Sequence, residues 1–139
     1  MLRRAVSTAY YAIFHLLISD ATRNWQHEEL RPEFGRLFDH GRMRTASNEM
    51  QAQMARQSAK SLKGTPEHSL FDQLRIVATT FLDAQQARNQ ADYNTAKVWT
   101  SSDALREVDS IAEAFESWEA VRHEPLAQAY LLSLLGKRA

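Results

Sequence analysis

Apolar residues return along this chain mainly at helical spacing. Val6, Tyr10, Ile13 and Leu17 fall at i, i+4, i+7 and i+11, one stripe of a helix running from the start to about Arg23. Leu70, Leu74, Val77, Phe81 and Ala84 repeat the pattern in a helix that should end near Ala91. Ala104, Val108, Ile111, Phe115 and Trp118 repeat it again. Glu107, Glu113, Glu116 and Glu119 lie outside that last stripe and are expected to be solvated. Between the first two stretches the signal weakens. Met43, Met50 and Met54 give part of a stripe over residues 42–62, which reads as a helix. Residues 24–41 hold Pro32, Gly35 and Gly41 among Trp25, Phe34 and Phe38, an ordered loop with one short helical turn pinned by aromatics.

Punctuation supports these segments. Ser69-x-x-Asp72 and Thr100-x-x-Asp103 have the form of capping boxes and should open the two later helices. Gly64-Thr-Pro66 is a break. Pro125 either kinks the preceding helix or starts a last one carrying Leu126, Tyr130, Leu131 and Leu134. Gly136 suits the C′ position of that helix, and Lys137-Arg138 suits its C-terminal dipole. No capping residue precedes Leu2. With 4 Gly and 3 Pro the chain has few places for tight turns, which disfavours a many-stranded β fold. The expectation is an all-α fold: one domain over residues 1–139, an antiparallel bundle of four to five helices.

Composition removes several chemistries. There are no cysteines, so disulfides, thiolate metal sites and cysteine nucleophiles are excluded. The histidines are His15, His27, His40, His68 and His123, and no two sit at i, i+3 or i+4. No metal site is expected from them, and no cofactor. No phosphate-binding glycine loop or nucleophile elbow is present. The longest apolar run, Ala9 to Ile18, is short and contains His15, so no membrane span is expected and a cytoplasmic location is. Formal net charge is 0, which disfavours a strongly basic nucleic-acid binder. The charge is uneven: residues 1–63 carry 10 Lys/Arg against 6 Asp/Glu, net +4, and residues 64–139 carry 7 against 11, net −4. A basic face of Arg36, Arg42, Arg44, Arg56, Lys60 and Lys63 is one outcome, and head-to-tail pairing of unlike halves is another.

Two polar sets interrupt the core pattern. Arg4, Tyr11 and His15 recur at +7 and +11, a stripe beside the apolar one on the first helix. Arg88 and Asp92 are i, i+4, so the carboxylate sits one turn from the guanidinium, with Tyr93 off that stripe. An exposed pair of this kind contributes only about 0.3–0.5 kcal/mol and needs no function.

The segment Leu2-Arg-Arg-Ala-Val-Ser-Thr-Ala-Tyr-Tyr-Ala-Ile-Phe-His15 resembles the first conserved helix of HEPN-domain proteins. Arg88-Asn-Gln-Ala-Asp-Tyr93 resembles the R-x-x-A-D-Y signature of the same family, in the same order and at a similar separation. The resemblance implies a bacterial helical homodimer of toxin–antitoxin type, often paired with a small nucleotidyltransferase, with nucleotide or RNA as ligand. It also implies residues ahead of the first motif, so part of the first helical segment is expected to be missing. Many members are metal-independent ribonucleases with an R-x4–6-H motif facing its copy across a dimer. Arg88-Asn89 matches the start of that motif. Tyr93 stands where the histidine would fall, positions 94 and 95 are Asn and Thr, and no other R-x4–6-H occurs. A tyrosine of pKa near ~10 is a poor base at neutral pH beside a histidine near ~6.5.

The function expected is therefore a non-catalytic HEPN-like binding or regulatory module, with a polar cluster of Arg4, Tyr11, His15, Arg88, Asn89, Asp92 and Tyr93. One alternative is a metal-independent endoribonuclease, toxin or defence enzyme, that uses Arg88 with Tyr93 or His15. A second is a helical interaction protein in which the network is structural. Self-association is expected on separate grounds: Tyr10, Tyr11, Phe14, Leu16 and Leu17 cover more of the first helix than one packed stripe can bury.

Overall fold

The computed structural model describes residues 1–136, and the Lys137-Arg138 pair lies outside the described residues. Helix α1 spans Leu2–Arg23, α2 Arg31–Gly35, α3 His40–Lys60, α4 Pro66–Tyr93, α5 Ser101–Val121 and α6 Pro125–Ser133. Among the described residues there is no strand. The protein is an all-α bundle, and five long helices build it. The five-residue α2, preceded by a 3-10 turn at Glu28–Leu30, is the helical turn expected inside residues 24–41. Trp25 and Phe34 lie 5.4 Å apart and Phe34 and Phe38 5.8 Å apart, so aromatics do pin this segment.

Helix α4 is the centre of the bundle and packs against α3, α1 and α5. Its neighbour α1 buries Val6, Tyr10, Ile13, Phe14 and Leu17, the stripe the spacing predicts. Met43, Met50 and Met54 are buried on α3, and Leu74, Val77, Phe81 and Ala84 on α4. Pro125 opens α6 rather than kinking α5, since its missing N–H costs nothing at a first helical position. Tyr130 of α6 is fully buried, and its hydroxyl meets Ser47 Oγ at 2.7 Å. Burial raises the Tyr130 phenol above the ordinary range.

Four expectations are corrected. Helix α4 starts at Thr65-Pro66, where the Thr65 hydroxyl accepts from the His68 amide. Ser69 and Asp72 then fall inside the helix, and Asp72 pairs with Arg75 at 2.7 Å. On α5, Ala104, Ile111 and Trp118 are buried but Val108 and Phe115 are 45% and 37% exposed. A step of four residues turns the helix about 40° past one revolution. Val108 and Phe115 therefore fall to one side of the Ala104–Ile111–Trp118 line, beyond what α1 and α4 cover. Glu107 is half-buried between α4 and α5, where burial and then the nearby Asp83 carboxylate raise its pKa. Gly136 does adopt the left-handed conformation, at φ +99°, but one residue later than C′, which is Leu135. The Thr100–Asp103 capping box forms as expected.

One buried acid carries no sequence signal. Asp20 accepts from Trp118 Nε1 at 2.5 Å and from Arg122 Nη2 at 2.8 Å, which ties the C-terminal ends of α1 and α5 together. Val6 and Ala104 share a small core cluster at the other end. The two helices thus run parallel, both antiparallel to α4. No helix is long and apolar enough to cross a membrane, among the described residues.

Candidate functional site

The seam between α1 and α4 is lined with polar groups. Arg88 lies one turn before the end of α4 and reaches across to Tyr11 of α1, whose hydroxyl accepts from its Nη2 at 3.1 Å. The guanidinium carbon stands 5.5 Å from the Tyr11 ring centre and 5.8 Å from that of Tyr93. Its Nε is 2.9 Å from Asp92 Oδ2, an ion pair not aligned as a hydrogen bond. Nη1 donates to Asn89 Oδ1 at 3.4 Å. Arginine has five N–H groups, and only two make aligned hydrogen bonds here. Asp92 is held from the other side by the Ser7 hydroxyl at 2.5 Å. The Arg88 side chain is 18% exposed and that of Asp92 31%.

Tyr11 is also the meeting point of two imidazoles. His15 stacks on it with ring centres 6.1 Å apart, and His40 meets it edge-on at 6.2 Å. Both histidines also touch Phe14, His15 at 5.3 Å and His40 at 4.4 Å. His40 is the first residue of α3, where the chain leaves the 24–41 loop. Burial, and after it the Arg88 charge, lowers the His40 pKa below the ordinary imidazole value.

A hydrogen-bond chain fixes which His40 nitrogen is free. Gln85 Nε2 donates to the His40 carbonyl at 3.0 Å, which only an amide nitrogen can do. The same nitrogen lies 3.3 Å from Tyr10 Oη and donates to it. Burial raises the Tyr10 phenol to about 12, so it keeps its proton. That proton goes to His40 Nδ1, 2.5 Å away. The neutral ring then carries its hydrogen on Nε2 and is a donor there.

Of the seven residues expected to cluster, Tyr11, His15, Arg88, Asn89, Asp92 and Tyr93 do come together. Arg4 does not: it faces solvent on the outer side of α1. The adjacent Arg3 is engaged instead. Its Nη1 donates to the carbonyls of Ala91 at 2.8 Å and Asn94 at 2.9 Å, and its Nη2 to that of Lys97, so it caps the C-terminus of α4. Tyr93 is 72% exposed at the mouth of the seam. Sequence reasoning missed Ser7, Tyr10, Gln85 and His40. Ser7 precedes Tyr11 by one turn and could have been found from that spacing. His40 lies 48 residues before Arg88 and follows a loop, so no periodicity points to it.

The arrangement offers a guanidinium, an N–H donor imidazole and exposed aromatic faces within one patch. It can bind an anion and stack a flat group. Among the described residues no group of three or more His, Asp or Glu is placed to hold a metal ion. No protein-family model matches the chain, and no curated protein or solved structure matches it.

Proposed function

We propose that this chain is a HEPN-like helical binding module whose α1–α4 seam, completed by His40, takes a phosphate-bearing ligand of nucleotide or RNA type without cleaving it. The observation that carries the reading is Arg88: a guanidinium fixed in place with only two of its five N–H groups in aligned hydrogen bonds. Asp92 is its internal counter-ion and stands where an external phosphate would compete. Tyr93 and Tyr11 offer ring faces to a base. Cleavage by attack of a 2′-hydroxyl needs a base with a free lone pair, and His40 has its lone pair turned to Tyr10. Working with a nucleotidyltransferase partner follows from the sequence resemblance, and co-purification of the two proteins tests it.

The direct test is calorimetric titration with a nucleoside monophosphate and a short single-stranded RNA. Arg88→Ala should abolish binding, while Asp92→Asn should tighten it by removing the competing carboxylate. If neither probe binds and Arg88→Ala only destabilises the fold, the network is structural. A second reading, ribonuclease activity, is favoured by one observation: His15 is exposed beside Tyr11, and its ring makes no printed hydrogen bond to the buried relay that engages His40. RNA cleavage lost in His15→Ala would establish that reading instead.

A further inference from the structure

Away from the Arg88 seam, α1 and α5 leave an apolar face uncovered. On α5, Leu105 is 60% exposed, Val108 45% and Phe115 37%. With the exposed Ala112 they form one stripe of that helix, i, i+3, i+7 and i+10. Beside the stripe, Arg4, Ala5, Thr8 and Ala12 of α1 line a groove of about 450 Å³, floored by Val108 and Ile111. Small residues along α1 let a partner helix approach closely. Large apolar residues along α5 supply the knobs to fill such a groove.

The charges around this face are polarised along its length. α1 and α5 are parallel, with Val6 beside Ala104 at one end and Asp20 bonded to Trp118 at the other. Exposed Arg4 marks the first end. Exposed Glu113 and Glu116 sit toward the second, with Glu116 about 18 Å beyond Ala104 along α5. A two-fold axis perpendicular to the helices would turn the second copy end for end. It would lay each copy's Arg4 against the other's Glu116 and pack the two Leu105–Phe115 stripes into the two α1 grooves.

We propose that the α1–α5 face is the interface of a two-fold symmetric homodimer, with Arg4 and Glu116 pairing reciprocally across it. The apolar stripe is self-complementary in shape because each copy brings both knobs and groove. The rim is self-complementary in charge because its two ends differ in sign. An isologous contact uses every such pair twice, so one substitution counts double. The Arg88 seam opens on a different side of α1 and stays accessible in this dimer.

Sedimentation velocity on the whole chain tests the proposal. The unmodified protein should be dimeric at micromolar concentration. Val108→Asp and Leu105→Asp, both at exposed positions, should give monomers with unchanged helical circular dichroism. Arg4→Glu and Glu116→Arg should each weaken association about fivefold, from two surface ion pairs lost. The double variant Arg4→Glu/Glu116→Arg should recover it. Monomer at all concentrations overturns the proposal, as does a dimer that survives Val108→Asp with its fold intact. Failure of the double charge swap to restore association overturns the two-fold arrangement. A monomer that instead binds anionic vesicles through this face assigns it to a lipid surface and sinks the dimer.

Discussion

Removing the Arg88 guanidinium separates a fixed binding group from a decorative surface pair. Two unit charges about 4 Å apart interact by roughly 1 kcal/mol in water and roughly 4 kcal/mol at an effective dielectric near 20. At 18% and 31% exposure, Arg88 and Asp92 sit between those conditions. Desolvation and side-chain ordering take back part of the attraction, which leaves a coupling of about 1–2 kcal/mol. That exceeds the roughly 0.3–0.5 kcal/mol of an exposed i, i+4 pair. Arg88→Met also loses the Tyr11 hydrogen bond and the cation–π contact, so the single variant should cost about 2 kcal/mol. The assay is urea unfolding of the native chain, Arg88→Met, Asp92→Asn and the double variant, read as a double-mutant cycle. A coupling below about 0.5 kcal/mol would mean that the guanidinium is not held, and the claim of a pre-positioned anion site would fail with it.

Asp20→Ala should cost about 3 kcal/mol in the same assay, because it strands the Trp118 indole and the Arg122 guanidinium, and a loss under about 1 kcal/mol would contradict the buried tie. Stability should fall as pH drops: the folded pKa of His40 lies below its unfolded value, so its contribution is present above about 6.5 and is lost on acidification through the folded pKa. Melting temperature recorded across pH 5–8 should show this loss, and His40→Phe should flatten it. Tyr93→His places an imidazole where Arg88 can work with it, so weak metal-independent RNA cleavage should appear in that variant and be absent in the unmodified chain. Cleavage by the unmodified chain would refute the non-catalytic reading.

The bundle was legible in the sequence because one period, repeated in several segments, dictates it. Periodicity locates a stripe but not its edges. Val108 and Phe115 fit the α5 pattern and still lie outside the core, since burial depends on which neighbours flank a helix. Capping grammar is similarly degenerate: Ser69-x-x-Asp72 has the right form, yet Thr65-Pro66 four residues earlier wins because proline is favoured at the first helical position. Within the candidate site, contacts along one helix were visible, as for Arg88 and Asp92. Contacts set by tertiary packing were not. The arginine that grips α4 is Arg3 rather than Arg4, a rotation of about 100° that only the docking of α1 decides. His40 joins the site because α3 begins where it does, and nothing local to His40 records that.

The Arg3 clamp has a consequence for how the chain is made. Its partner Ala91 is 88 residues away, so α1 is synthesised long before the surface that completes it. Closing a loop of that length costs about 4 kcal/mol of chain entropy, recovered only when α4 is present to dock. At ordinary translation rates the interval is on the order of ten seconds. Throughout it Tyr10, Ile13, Phe14 and Leu17, all buried in the finished fold, have only α2 and α3 to cover them. A nascent chain stalled before α4 emerges would therefore present this helix as a target for chaperones, and pulse-chase of chains arrested before Pro66 would reveal it as a protease-sensitive N-terminal segment.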